Sequence, residues 1–249
     1  MIILKSQNEI KKISESCKIV AEVLEGLRSY IREGISTVEI ERYVEMQIAK
    51  RKALPAFKGY RGYPSSVCLS LNEQVVHGIP SKHVKLKDGD IVSIDLGVLL
   101  NGFYGDAAIT LSIGEISHAA KKLLKVTEEA LYMGIDNAIV GNRISDISSA
   151  VQKYVESNGF SVVRAFVGHG IGRFLHEDPQ VPNFGSPGRG VRIREGMTIA
   201  IEPMVNAGGP DIMILDDGWT AVTTDGSLSA HFEHTIAVTK NGPEILTKI

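Results

Sequence analysis

The most hydrophobic stretch of the chain, IVSIDLGVLLNGFYGDAAIT (91–110), carries two aspartates, Asp95 and Asp106. Asn101-Gly102 is a strong signal for a two-residue type I′ turn, so Asp95 is predicted to face position 108, with Asp106 as its diagonal neighbour. Because side chains alternate along a strand, both carboxylates are expected on one face of the sheet. Two carboxylates buried together repel each other unless a proton or a cation lies between them.

Two further acids occupy equivalent positions later in the chain. LKDGDIVSIDLGV, which contains Asp95, aligns without a gap with IREGMTIAIEPMV, which contains Glu202. GDAAITL, which contains Asp106, aligns with FEHTIAV, which contains Glu233. Acids that match acids indicate an internal duplication with pseudo-two-fold symmetry, and the period of 107 residues at the first pair is too long for a solenoid.

A histidine motif is duplicated as well, because His77-Gly78-Ile79 recurs as His169-Gly170-Ile171. If the two halves pack face to face, His169 converges with the four carboxylates. Such a group is a hard-ligand set, suited to divalent ions and not to thiolate chemistry. Four carboxylates would over-coordinate one ion, whereas two ions with bridging carboxylates use them all and activate a bridging water.

Simpler interpretations account for less of this pattern. A single acid in a strand is usually a salt-bridge partner, and a pair of glycosidase carboxylates does not explain four acids in duplicated positions plus a histidine. GHGIG (168–172) lacks the Lys-Ser/Thr of a phosphate-binding loop. His83, His118 and His231 are interpreted as surface histidines.

The composition is that of an ordinary globular protein, with 249 residues, 22% charged and 43% hydrophobic residues and a net charge of −2. This charge gives no indication of a surface for nucleic acid or anionic membrane. Cys17 and Cys68 are the only cysteines, which fits a reducing compartment. MIILKSQNEIKK has no signal-peptide core, and no apolar run approaches the ~20 residues that span a bilayer, so we expect a cytoplasmic protein.

The order of predicted elements repeats along the chain. Ser36 and Glu39 resemble a capping box at the start of the second helix. No Pro/Gly/Ser-rich linker separates the halves, so we expect one α+β domain over 1–249 with internal repeats of about 7–114 and 117–246. Apolar spacing and the capping box predict helices over residues 8–31, 36–52, 118–139 and 144–160, with strands after each pair.

These motifs resemble those of type 1 methionine aminopeptidases, whose pita-bread fold is shared with aminopeptidase P, prolidase and creatinase. The resemblance covers essentially the whole chain, and the order Asp, Asp, His, Glu, Glu is shared by the metallopeptidases of the wider superfamily. VVHGIP and DGWT point to the methionine-specific branch. The matching stretches are GYRGYPSSVCLSLNEQVVHGIP, DGDIVSIDLGVLLNGFYGDAA, GHGIGRFLHEDPQV, EGMTIAIEPMVNAG and DGWTAVTTDGSLSAHFEHTI.

The family implies an α+β pita-bread fold, internally duplicated, with a central antiparallel-rich sheet covered by two pairs of helices. It also implies two divalent metal ions per chain (Co, Mn, Fe, Zn or Ni), with Asp106 and Glu233 as bridging ligands. Glu202 would in addition take a proton from the nucleophilic water. The implied metal ligands are Asp95, Asp106, His169, Glu202 and Glu233.

The resemblance assigns the substrate side of the site as well. His77 and His176 would sit over the substrate, where an imidazole can donate to the scissile peptide and stabilise the tetrahedral oxyanion. Two departures fall near the pocket wall, since Phe57 stands where cysteine is common and Phe174-Leu175 stand where glycine-phenylalanine is common. A thioether packs well against aromatic faces and a thiol, and the implied methionine pocket consists of Phe57, Tyr60, Tyr63, Cys68 and Trp219.

The implied substrate is the N-terminus of a peptide or nascent chain, from which methionine is released when the second residue is small. A monomer is expected, with transient ribosome association and without binding to membranes or to specific nucleic-acid sequences.

Two other interpretations stay open. A catalytically dead pita-bread binding module would typically have lost metal ligands, and all five are present here. An enzyme for X-Pro dipeptides or creatine-like substrates would usually carry a large extra N-terminal domain. Methionine release from Met-Ala-Ser, compared with release from Xaa-Pro peptides, separates these interpretations.

Overall fold

The computed structural model describes residues 2–248, and its α-helices lie where the sequence predicts them. Ser36 is the N-cap of the second helix, and its backbone N–H donates to the Glu39 carboxylate at 2.9 Å, which confirms the capping box. None of the described helices is long and apolar enough to cross a bilayer. The α-helices are α1 Gln7–Tyr30, α2 Thr37–Lys50, α3 His118–Asp136 and α4 Ile144–Ser157.

The strands pair antiparallel into one large sheet and two small ones within the described residues. In chain order they are β1 Leu54–Pro55, β2 Cys68–Leu71, β3 Gln74–Val76, β4 Ile91–Leu100, β5 Phe103–Ser112, β6 Ser161–Val162, β7 Gly168–Gly170, β8 Glu177–Val181, β9 Thr198–Ile201, β10 Met204–Asn206, β11 Ile212–Ile214, β12 Ala221–Thr223, β13 Ser229–His231, β14 Glu233–Thr239 and β15 Gly242–Ile245. The large sheet has the order β1-β4-β5-β14-β9-β7-β8, with β2 also paired to β4 and β15 to β14. The small sheets are β13-β10-β6 and β11-β12-β3.

Strands β4 and β5 form the predicted hairpin. Asn101 and Gly102 have φ angles of 52° and 78°, as a type I′ turn requires. Asp95 pairs with Ala108, and Gly97 pairs with Asp106, so the predicted register is confirmed. The two aspartates are therefore diagonal neighbours on one face of the sheet.

The helices pack on the other face of this hairpin. Ile94 and Leu96 are fully buried in the same core cluster as Val20 and Leu27 of α1. Gly105 lets α1 approach the sheet closely, because a Cβ at this position would lie 2.5 Å from the backbone nitrogen of Cys17. Since side chains alternate along β4, Ile94 and Leu96 pack against the helices, and the Asp95 carboxylate between them lies on the opposite face of the sheet.

The centre of the large sheet joins the two halves of the chain. Strands β5 and β14 meet there through two residue pairs, Glu233 with Ala108 and His234 with Ala107. On either side of this pair lie β4 and β9, so the strand order is symmetric about the centre. Two isolated bridges, Ser36 with Lys85 and Arg143 with Arg192, are related by the same offset of 107 residues as Asp95 and Glu202.

Candidate active site

One cavity of about 680 Å³ brings together all the predicted site residues. Its floor carries carboxylates from the central strands, and its wall carries aromatic side chains. Phe166 and Met204 also line it, and sequence reasoning did not select them. The predicted residues that line the cavity are Phe57, Tyr60, Tyr63, Cys68, His77, Asp95, Asp106, His169, His176, Glu202, Trp219 and Glu233.

Five strands hold the acids and the histidine at the floor. Asp95 lies in β4, Asp106 in β5 and His169 in β7, while Glu233 begins β14 and Glu202 directly follows β9. Asp106, His169 and Glu233 each offer one donor atom, and these three atoms all lie within 4.8 Å of one another. The Nε2 atom of His169 lies 3.6 Å from Oε1 of Glu202. This spacing suits donors that share a cation.

The carboxylates are buried at a high electrostatic cost. Burial raises the pKa of Asp95 to about 7 and that of Glu202 to about 7. Burial and the neighbouring carboxylates raise the pKa of Asp106 and of Glu233 well above their ordinary values. Asp95 Oδ1, Asp106 Oδ1 and Glu233 Oε1 are buried without a hydrogen-bond partner. Buried polar atoms are normally satisfied, so these three oxygens fit a site that is completed by a cation.

His77 and His176 line the cavity, and their surroundings favour neutral imidazole rings. His176 Nδ1 lies 2.8 Å from the Tyr60 hydroxyl, and the His176 ring centroid lies 4.3 Å from that of His169. Partial desolvation in the cavity and the neighbouring His169 lower the pKa of His176 to about 3. Burial lowers the pKa of His77 to about 4. A neutral imidazole carries one N–H, so each ring can donate one hydrogen bond into the cavity.

The apolar wall of the cavity is a compact aromatic cluster. The rings of Tyr63 and Trp219 meet edge to face with centroids 5.2 Å apart. Phe57 is buried, and a Cβ at Gly97 would lie 2.7 Å from its ring, so the strand and the ring are in close contact. Of the two residues that precede His176, Leu175 lines the wall, whereas Phe174 is 66% exposed.

A sequence model of metallopeptidase family M24 matches residues 11–240 of the chain. The chain belongs to metallopeptidase family M24. Membership of M24 implies that a divalent metal is used. The unsatisfied carboxylate oxygens at the floor of the cavity are consistent with such a site.

Full-length relatives of this M24 metallopeptidase carry the name methionine aminopeptidase. The protein from Clostridium perfringens is 57% identical over 249 residues, and methionine aminopeptidase 1 of Bacillus subtilis is 53% identical over 249 residues; both alignments cover 100% of each chain. The crystal structure of methionine aminopeptidase from Thermotoga maritima has a TM-score of 0.99 at 50% identity and 100% coverage of both chains. Prolidase from Pyrococcus furiosus, at 24% identity and a TM-score of 0.81, covers 99% of this chain and 66% of its own. The predicted α+β pita-bread fold is confirmed.

The interpretation of His231 as a surface histidine is wrong, whereas His83 and His118 are exposed as predicted. His231 is 1% exposed at the end of β13, and its Nε2 lies 3.6 Å from Glu202 Oε2. Both of its ring nitrogens are buried without a hydrogen-bond partner. Glu202 therefore lies between two imidazoles in this M24 site. The alternation in HFE was a usable signal, because His231 and Glu233 are two residues apart and share a face of an extended chain.

Proposed function

We propose that the chain releases N-terminal methionine from peptides and nascent proteins whose second residue is small. The observation that carries the proposal is the layout of the cavity. Its floor concentrates four carboxylates and His169, with Asp106 and Glu233 buried, and its wall is an aromatic cluster that suits one unbranched apolar side chain. The names of the full-length relatives support the same substrate.

The proposed metal site takes two divalent ions from among Co, Mn, Fe, Zn and Ni. Asp106 and Glu233 would be the ligands shared by the two ions, since their strands adjoin at the centre of the sheet, where Glu233 is paired with Ala108. When bound, such ions supply an attacking water of lowered pKa and polarise the scissile carbonyl. The proposed ligands are Asp95, Asp106, His169, Glu202 and Glu233.

The remaining steps fall to the side chains of this chain. Glu202 accepts the proton of the attacking water, because its carboxylate lies at the floor of the cavity among the proposed ligands, within reach of that water. His77 and His176 donate hydrogen bonds to the scissile peptide and to the oxyanion that develops on its carbonyl oxygen. The Tyr60 hydroxyl holds Nδ1 of His176, which leaves Nε2 for the substrate.

The whole chain acts as one catalytic domain in this proposal. The carboxylates come from both proposed repeats, 7–114 and 117–246, so neither repeat holds a complete ligand set. The protein acts as a monomer in the cytoplasm, where nascent chains are its substrates and ribosome association is transient.

The test is the rate of methionine release from Met-Ala-Ser, with Xaa-Pro peptides as the competing substrate class, before and after addition of Mn²⁺ or Co²⁺ to EDTA-treated protein. Metal-dependent release from Met-Ala-Ser alone supports the proposal, and preferential cleavage of Xaa-Pro peptides contradicts it. His176→Ala is expected to lower kcat by roughly 10²–10³ while metal content stays unchanged. Loss of metal in that variant would show that the roles assigned to His169, as metal ligand, and to His176, as hydrogen-bond donor, are wrong.

A further inference from the structure

The turn that carries His176 closes on its own neighbour, Glu177. The backbone N–H of Gly172 donates to the Phe174 carbonyl at 3.1 Å, and the Phe174 N–H donates to Glu177 Oε1 at 3.1 Å. Glu177 then begins β8, opposite Gly170. The position of His176 along the cavity wall is therefore set by where the Glu177 carboxylate is held.

That carboxylate is held from outside the cavity by Lys5. The Nζ atom of Lys5 lies 2.6 Å from Glu177 Oε2, and the two side chains are 3% and 5% exposed. Lys5 Nζ also donates to the Ile3 carbonyl at 3.0 Å, and the Lys5 backbone N–H donates to the Gly196 carbonyl at 2.7 Å. The ammonium group is thus fixed to a segment that is itself bonded to the strand-rich half of the chain.

The ion pair lies close against the backbone of the turn. A Cβ at Gly172 would lie 2.6 Å from Lys5 Cε and 2.8 Å from Glu177 Oε1, so the backbone of the turn packs directly on the ion pair. A buried ion pair contributes little net stability compared with a packed apolar pair. Its geometry, by contrast, is tightly defined, and this suits a role in placing a side chain.

We propose that the Lys5–Glu177 ion pair is the positioning device for His176. The inference rests on the donor role of His176 in the proposed function. Glu177 fixes the backbone of the turn, while the Tyr60 hydroxyl fixes the ring. Glu177 lines the cavity beside His176, whereas Lys5 does not, and both act through the placement of His176.

The experiment compares Lys5→Met in the wild-type background and in His176→Ala, with kcat, KM and metal content measured for Met-Ala-Ser. In the wild-type background kcat should fall at least about tenfold with little change in KM or metal content, because a displacement near 1 Å of a catalytic group costs on the order of 10²-fold. In the His176→Ala background Lys5→Met should cause no further loss. Glu177→Gln keeps an acceptor for the Phe174 N–H and loses the charge, and it gives the same contrast if Lys5→Met does not fold.

Arg51→Met is the control, since it removes a partly buried ion pair with Glu22, at 2.8 Å, that does not line the cavity. It should leave kcat unchanged. Wild-type kcat in Lys5→Met, or an equal loss in both backgrounds, overturns the positioning role while the proposed function stands. A wild type without metal-dependent methionine release overturns the proposed function. His176→Ala with full activity overturns the donor role of His176, and either result overturns the inference.

Discussion

Asp106→Asn is predicted to abolish activity and, at the same time, to stabilise the metal-free protein. Asp106 is 4% exposed, and its Oδ1 has no hydrogen-bond partner. Asparagine has nearly the same size but no charge, so it cannot bridge two cations. Without metal, the same change removes one of four mutually repelling carboxylates from the floor of the cavity.

The size of the effect follows from the buried acids. The pKa of Asp95 is about 7 in the folded chain against an ordinary 3.8. The folded state therefore holds more protons than the unfolded state between these values, and the stability of the metal-free protein falls as pH rises from about 4 to about 7. At about 1.4 kcal/mol per pH unit, ionised Asp95 destabilises the fold by about 4 kcal/mol above that window. Burial and the adjoining Asp95 and Glu202 act on Asp106 in the same direction.

Removal of one such charge should raise the free energy of unfolding by on the order of 3 kcal/mol at pH 8. For a chain of this length that corresponds to roughly 6–12 °C in Tm. The assay is calorimetric unfolding of EDTA-treated wild type and Asp106→Asn at pH 4 and pH 8. The difference in Tm should be present at pH 8 and small at pH 4, where the carboxylates are protonated in the folded state and only about half ionised in the unfolded state.

Asp216→Asn is the matched control, because Asp216 is exposed and outside the cavity, and its Tm should follow the wild type at both pH values. Addition of Mn²⁺ at pH 8 should raise the Tm of the wild type more than that of Asp106→Asn. A metal-free Asp106→Asn that melts below the wild type at pH 8, or a difference that is equally large at pH 4, would refute the electrostatic argument.

Three further predictions concern the walls of the site. Tyr60→Phe should lower kcat about 3–10-fold without loss of metal, the effect of one hydrogen bond to the His176 ring; a larger change in KM than in kcat would assign Tyr60 to substrate binding alone. His231→Leu should weaken metal binding to the EDTA-treated protein about 10–100-fold in a calorimetric titration, because the Glu202 carboxylate loses a neighbouring imidazole. His231→Gln keeps an N–H donor and should bind metal more tightly than the leucine variant. Equal metal affinities of the two variants would exclude this role for His231. For wild type, kcat/KM should decrease from Met- to norleucyl- to Leu-Ala-Ser, because an apolar pocket discriminates by only ~1–3 kcal/mol per methylene while a branched side chain meets its walls; an unchanged methionine-to-leucine ratio in Phe57→Cys would show that Phe57 does not shape the pocket.

The floor of the site was predictable because its signals are local or repeated. The Asn101-Gly102 turn and side-chain alternation are sufficient to place Asp95 and Asp106 on one face. Alignment of the chain with itself then selects Glu202 and Glu233. Helix boundaries followed from apolar spacing and from a capping box, and every predicted helix end lies within three residues of the observed one.

The rest of the site depends on contacts that sequence patterns do not encode. His231 lies in a three-residue strand of a separate small sheet, so its spacing of two residues from Glu233 is the one sequence signal that points to it. The Lys5–Glu177 pair joins residues 172 positions apart, each of which is an ordinary charged residue in the sequence. At Phe174-Leu175 the sequence does not show which side chain faces the cavity. The answer depends on how the turn is held, and the Lys5–Glu177 ion pair that holds it is a contact of the folded structure.

The strand order at the centre of the sheet bears on how such a site could arise. Each side of the β5–β14 contact contributes two of the four carboxylates, so a chain with one repeat would carry half a site. It would complete the site by pairing with a second copy through that strand edge, an isologous contact of the kind found in two-fold symmetric homodimers. Fusion of the copies would then free the halves to diverge, and the acids have done so, with Asp95 and Asp106 on one side facing Glu202 and Glu233 on the other.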